Sequence, residues 1–312
     1  MSTPPSNSTT DVRMRGFHSR TLVATALKWL DSAIDEHLAA RQQQPDATEL
    51  LPLEQCCGRV LAEDLVSGIP VPGFERAMMD GYAVHSADLA TISADHPVQL
   101  QVAGESLPGR PFAAALPRGA ALRIMTGAPF PADADAVLPV ELPQPLETGR
   151  VLAIAKVPAG RHVGRVAEDI RPGERLLAAG RKLRPQDVAV ASSIGCPRLL
   201  VFCRPRVRIL LTGSELLPAG SVPEGFRITD SNGPLLQSLV LRDAGVLPSL
   251  EYIGDDPGRL RQAFQEPADV LLVSGGSSVG QEDFAPGVLA QVGELAIHGL
   301  ARRPAAPTGL GR

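Results

Sequence analysis

The stretch 269–284, D-V-L-L-V-S-G-G-S-S-V-G-Q-E-D-F, decides how the chain is read. Val270, Leu271, Leu272 and Val273 form an apolar run that suits a strand buried on both faces, and the small residues after it suit a tight loop leading into a helix. Ser274, Gly275, Gly276, Ser277, Ser278 and Gly280 carry little side chain to keep a ligand from the backbone. Their N–H groups can converge on an anion near a helix N-terminus, with phosphate as the natural guest. Gly275 and Gly280 have Walker A spacing, but Gln281 and Glu282 stand where that motif needs Lys and Ser or Thr. An ATP P-loop is excluded; a phosphate turn and a plain structural turn both stay open on this stretch alone.

Working outward, 312 residues with 44% hydrophobic content can fill two or three cores. The 30 glycines and 29 prolines point to many turns and strand ends rather than one helical bundle. A net charge of −4 gives no general attraction for nucleic acid or an anionic membrane, so an anionic ligand must be held locally. Cys56, Cys57, Cys196 and Cys203 show no C-x-x-C spacing and indicate neither zinc nor a disulfide framework. Without an apolar run of spanning length or a secretory leader, the expected location is the cytoplasm.

Residues 1–20 are polar and read as a flexible tail. Val23, Leu27, Leu30 and Ile34 recur at helical spacing and predict a helix with one buried face; residues 51–65 predict a second, short helix. Between Gly68 and Gly73 the Pro/Gly density marks a domain crossing or an extended connection. The runs V-Q-L-Q-V, A-L-R-I-M, A-V-L-P-V and V-L-A-I, within 85–157, predict a small β domain. Asp80-Gly81 reads there as a turn in which the Asp caps its own backbone, the T-G-A-P at 126–129 as a plain turn in preference to a backbone anion contact, and Glu168 with Asp169 as part of a solvated charge network or a Mg²⁺ or substrate contact. From Arg204 strands and helices alternate, which predicts a doubly wound α/β layout with ligands beyond the carboxyl ends of its strands. Thr212, Gly213, Ser214 and Glu215, then Asp230 to Asn232, then Ser274 to Asp283, all follow predicted strands and are expected to share one rim. Glu215, Asp230 and Asp283 are hard oxygen donors suited to sharing Mg²⁺ with a phosphate; three ordinary helix caps are the alternative.

Taken in order, G-R-V-L-A-E-D, A-M-M-D-G-Y-A-V, R-I-M-T-G-A-P, A-E-D-I-R-P-G, L-L-T-G-S-E-L, I-T-D-S-N and S-G-G-S-S-V-G-Q-E-D-F resemble the MoeA/gephyrin E-domain family of molybdopterin molybdenumtransferases over roughly residues 20–312. The resemblance implies a mixed α/β and β multidomain fold: a helical and linker domain from 21–68 and 158–203, an inserted β domain at 69–157, and a MogA/MoaB-like doubly wound α/β domain at 204–312. It implies insertion of molybdate into adenylylated molybdopterin with release of AMP, assisted by Mg²⁺. It also implies a homodimer, with a MogA-type adenylyltransferase and molybdoenzymes as possible further partners and no nucleic acid or membrane. By the same resemblance Ser274, Gly275, Gly276, Ser278 and Gly280 cradle the pterin-phosphate portion, bordered by Asp230 and Asn232. Asp283 matches the acid that closes the motif, Glu168 and Asp169 match a G-E-D segment, and Asp80 with Thr126 and Gly127 reaches the molybdate side from a partner protomer.

Against the family pattern, Ala167 replaces a Gly, Ser214 an Asp, and Arg303 and Ala306 two lysines. The family also continues past the point where this sequence stops, through the last helices of the α/β domain and a C-terminal β domain. A truncated product is therefore expected, with a non-catalytic molybdopterin-binding or scaffolding role as the alternative to catalysis. A MogA/MoaB-type adenylyltransferase fits less well, since such small proteins lack the long N-terminal region.

Overall fold

A computed structural model describes residues 17, 19–44, 46–93, 96–146 and 149–312. The tail expected at 1–20 lies outside them except for Phe17, Ser19 and Arg20. The chain forms two compact units: one runs to Leu51 and adds Gly58–Ala62 and Leu200–Arg312, and the other comprises Pro52–Cys57 and Glu63–Leu199.

Helix α1, Val23–Gln42, belongs to the first unit. Its apolar stripe is not buried as expected: Ala26 is its buried residue, whereas Leu27, Ile34 and Leu38 are 54%, 45% and 47% exposed. The helix is held at its ends instead. The Thr21 N–H donates to Gly299 O at 2.9 Å, and the Arg41 guanidinium pairs with Asp46 at 2.6 Å and lies 3.7 Å from Asp269.

A second helix over 51–65 does not form; one 3-10 turn, Leu53–Gln55, takes its place. Beyond Gly58, at φ +80°, Val60–Ala62 is extended and pairs with residues 200–202, through Ala62 N–H to Leu200 O at 2.9 Å and Phe202 N–H to Val60 O at 2.8 Å. Backbone partners on a neighbouring segment override the local helical pattern.

The second unit is built on six strands: β1 Gly81–Val84, β2 Val98–Ser106, β3 Ala120–Ile124, β4 Ala136–Pro139, β5 Pro143–Leu146 and β6 Arg150–Ala153, in the order β4-β1-β3-β2-β6-β5. All four expected runs are strands here. Neighbours are antiparallel except β2 with β3. Alternate side chains feed opposite cores: Val84, Ala121 and Leu138 on one face, Ala83, Leu122 and Val137 on the other. Helix α2, Pro185–Ser193, follows, with its Asp187 carboxylate buried under Arg181 and Arg184.

In the first unit, β7 Arg206–Thr212 leads to the short β8 Leu216–Leu217 and β9 Ile228–Thr229, then α3 Asn232–Arg242, β10 Val246–Ile253, α4 Pro257–Gln265, β11 Val270–Ser274 and α5 Ala285–Val292. The parallel sheet has the order β10-β7-β11. Its faces are covered on both sides. Leu210, Ile253, Leu260, Ala263, Ala285 and Val288 form one core with α4 and α5, and Val207, Ile209, Leu211 and Val240 form the other with α3. The buried central strand is β7; the apolar run of β11 is the sheet edge, half-buried, with Val270 43% exposed. The expected strand L-A-I-H forms as β12, Leu295–His298, but pairs antiparallel with β13, Gly309–Gly311, outside that sheet.

At the amino end of β7, Arg208 is 3% exposed. Its guanidinium donates to Ala263 O at 2.6 Å and pairs with Glu251 at 2.7 Å and Glu266 at 2.8 Å, joining β7, β10 and the end of α4. Burial pushes the Glu251 carboxyl up, but the bonds from Arg208 and Ser249 outweigh it and leave the pKa lowered.

Candidate functional site

The chain visits the strands in the order β7, β10, β11, whereas the sheet places β7 between the other two. Connections therefore leave the carboxyl ends of β7 and β11 in opposite directions, which is where open α/β sheets hold ligands. The turns at that position are Thr212–Glu215 and Ser274–Asp283.

These turns touch because Gly275 and Gly276 have no side chain. A Cβ on Gly275 would overlap Thr212 O, and one on Gly276 would come within 2.8 Å of Thr212 Oγ1. Their φ angles, +97° and +55°, also favour glycine. Thr212 is 5% exposed, and among the described residues its Oγ1 has no hydrogen-bond partner. A buried hydroxyl left in this way asks for a water or a ligand group. It faces a small cavity lined also by Gly254, Asp255, Gly276 and Glu282.

The start of α3 joins this arrangement. Asp230, 6% exposed, accepts the Asn232 N–H at 2.9 Å and the Gly233 N–H at 3.0 Å, which caps the helix. Asn232 Nδ2 then donates to Ser274 Oγ at 2.9 Å. The T-D-S-N and S-G-G-S-S stretches, 42 residues apart in sequence, thus meet side chain to side chain.

The rest of the rim is fixed by short-range bonds. Asp255 accepts the Ser214 N–H at 2.8 Å, and the Asp255 N–H lies 3.3 Å from Ser214 Oγ. The Glu215 carboxylate folds over Gly213, where a Cβ would sit 2.7 Å from Oε2. Asp283 accepts the Gly280 N–H, closing the loop on which Ser278 and Gly280 lie half-buried. Ser277 Oγ donates to Pro307 O at 3.2 Å, and His298 Nε2 is 3.0 Å from Ser277 O. The turn carrying exposed Arg303 is thereby tied to the Gly/Ser loop.

Glu215, Asp230 and Asp283 are not gathered into a metal site: among the described residues no three His, Cys, Asp or Glu converge for a metal ion. The Asp230 oxygens are already occupied by N–H donors and by the Tyr252 hydroxyl, 2.9 Å from Oδ2. The cap role fits Asp230 and the loop-closing role fits Asp283.

In the second unit Asp80 does not cap its own turn. Its Oδ1 accepts both the backbone N–H and the hydroxyl of Thr126, each at 2.7 Å. The Thr126 N–H first, and the hydroxyl second, hold the Asp80 carboxyl below its ordinary pKa. Gly127, at φ +80°, turns the chain so that its N–H reaches Ala77 O at 2.8 Å. Glu168 and Asp169 meet Arg76, not their sequence neighbours' side chains: Nη2 lies 2.9 Å from Glu168 and 3.3 Å from Asp169. The Arg76 bond, then the Arg165 N–H, lowers the Glu168 pKa. Arg76, Asp255 and Tyr252 escaped the sequence reading because they lie on strands or past strand ends without a recognisable spacing.

Residues 23–195 match the MoeA N-terminal region (domain I and II), and residues 208–312 match a probable molybdopterin binding domain. A molybdopterin molybdenumtransferase of Haemophilus influenzae is 33% identical over 277 residues, 86% of this chain and 66% of that protein. One from Synechococcus elongatus is 34% identical over 284 residues, 88% of this chain and 70% of that protein. The chain therefore spans about two thirds of the length of these relatives. The crystal structure of a molybdopterin biosynthesis moeA protein from Pyrococcus horikoshii OT3 aligns with a TM-score of 0.77 at 30% identity, covering 94% of this chain and 72% of that one. Among the described residues no helix is long and apolar enough to cross a membrane.

Proposed function

The chain belongs to the MoeA family, and on that premise we propose that it acts in molybdenum cofactor biosynthesis, as a transferase inserting molybdate into adenylylated molybdopterin with release of AMP. The observation that carries the reading is the Asn232–Ser274 bond at the β7/β11 switch point, beside glycines whose backbone a ligand can approach. In this reading the loop from Ser274 to Gly280 cradles the pterin-phosphate portion and Asn232 borders it. The unpartnered Thr212 hydroxyl supports a polar guest there.

Glu215, Asp230 and Asp283 do not fit a resident Mg²⁺ cage. Mg²⁺ commonly binds through one or two carboxylates together with substrate phosphates. Any Mg²⁺ is therefore assigned to the phosphates of the incoming substrate. Asp80 with Thr126, and Glu168 with Asp169, serve the molybdate side; hydrogen bonds from Thr126 to Asp80 and from Arg76 to Glu168 hold those two carboxyls below their ordinary pKa and suit them to ordering water and cationic groups. A cytoplasmic homodimer, with the α/β region doubly wound in the MogA/MoaB manner, completes the proposal.

The test is incubation of the protein with adenylylated molybdopterin and molybdate, with and without Mg²⁺, and chromatography of released AMP. Molybdate-dependent AMP release is the expected result; binding of the nucleotide without release would reduce the chain to a binding module. Light scattering at micromolar concentration checks the dimer.

A further inference from the structure

Tyr252 stands at the carboxyl end of β10, in register with Leu211 of β7. Its ring packs with Leu236 and Leu250 against the core of Val207, Ile209, Leu211 and Val240. The hydroxyl reaches out of this core to two polar partners. It donates to Asp230 Oδ2 at 2.9 Å and accepts the Ala219 N–H at 3.1 Å.

The partners belong to different parts of the rim. Ala219 is the second residue of the loop 218–227 between β8 and β9, in which Val222 and Phe226 are 83% and 101% exposed. Such a loop has few packed contacts of its own and depends on its anchors for order. Asp230 caps α3 and holds the Asn232 N–H, and the Asn232 side chain bonds Ser274. The neutral phenol suits this position because it donates and accepts at once, whereas an ionised acid only accepts. Burial, with the Asp230 bond adding to it, keeps the Tyr252 pKa raised, so the donating proton is present across the neutral range.

We propose that Tyr252 is a positioning residue of this site: its hydroxyl couples loop 218–227 to the Asp230–Asn232–Ser274 chain, so that the loop and the Gly/Ser cradle become ordered together. The functional part of this inference rests on the reading of Ser274–Gly280 as the molybdopterin cradle.

The experiment compares wild type with Tyr252→Phe, which keeps the ring and removes the hydroxyl. Amide hydrogen exchange is measured without ligand, and the Kd for adenylylated molybdopterin by quenching of pterin fluorescence. Expected are exchange about tenfold faster in peptides covering both 218–227 and 274–277, unchanged exchange in β7, and a Kd weakened about tenfold, or about 1.4 kcal/mol. Faster exchange confined to 218–227 would overturn the coupling, as would a Kd within twofold of wild type. Acceleration extending through β7 and β10 would show a general structural role and overturn it as well. If wild type fails to bind adenylylated molybdopterin, the cradle reading falls while the exchange pattern still decides whether the hydroxyl couples the two segments.

Discussion

Thr126 gives both of its hydrogen-bond donors, N–H and O–H, to the same carboxylate oxygen of Asp80 across 46 residues of sequence. Two donors on one oxygen favour the ionised form, so the folded-state pKa lies below the unfolded one. The associated stabilisation is complete above the unfolded pKa and is lost as pH falls through the folded pKa. Carboxyl ¹³C titration is expected to place Asp80 below ordinary aspartates. In Thr126→Val the value should move only part of the way back, because the backbone N–H remains.

Ala167 adopts φ +59°, a left-handed conformation that costs a residue with a Cβ more than glycine. Ala167→Gly is expected to relieve that strain and raise stability by about 0.5–1 kcal/mol, net of the greater unfolded-state freedom of glycine. Urea denaturation followed by circular dichroism reads the midpoint. A lower midpoint would mean that the φ strain is outweighed by that freedom.

Asp187 receives hydrogen bonds from Arg184 and Arg181, at 3.0 to 3.2 Å, and these hold its carboxyl far below the usual range despite burial. Its contribution is therefore present above the unfolded carboxylate pKa, near 4, and disappears only as pH falls well below it. Asp187→Asn should lower Tm by several degrees at neutral pH, and the gap to wild type should close in strong acid. A gap that is constant from pH 7 to pH 2 would remove the ion pairs as its cause.

Asn232 and Ser274 form one side-chain bond between α3 and the Gly/Ser loop. Truncating either to Ala is expected to weaken binding of adenylylated molybdopterin by about tenfold, in line with one net hydrogen bond. The double substitution should cost little more than either alone. Fully additive losses would show that the two residues act independently.

Gly275→Ala places a methyl group on Thr212 O and on a φ of +97°. The turn must shift, with an expected cost of about 1–3 kcal/mol from strain. Binding should fall with stability, as read by chemical denaturation and pterin fluorescence in the same preparation.

The alternation from Arg204 onward and the four apolar runs of 85–157 were legible because strand periodicity and turn residues are local signals. The Gly/Ser loop was legible for the same reason, and its place beyond a strand end followed from the alternation. The burial of 270–273 was not: an apolar run identifies a strand but not its place in a sheet, and here β7 is the central strand. Nor were the stripe on α1 and the segment after Pro52 read correctly, because their partners lie far away in sequence. The pairing of Asp80 with Thr126 and of Arg76 with Glu168 depends on strand register, which neither residue's neighbourhood encodes.

The Arg208 clamp divides β7 mechanically. Arg208 precedes Thr212 by four residues, about 13 Å along an extended strand, so the charge cluster and the ligand rim sit at opposite ends of one lever. Its cation is buried and ties three elements at the far end, whereas at the rim the Ser214–Asp255 and Asn232–Ser274 bonds are exposed. Amide exchange is therefore expected to set in at the rim before the strands lose register, and a bound guest to slow it there.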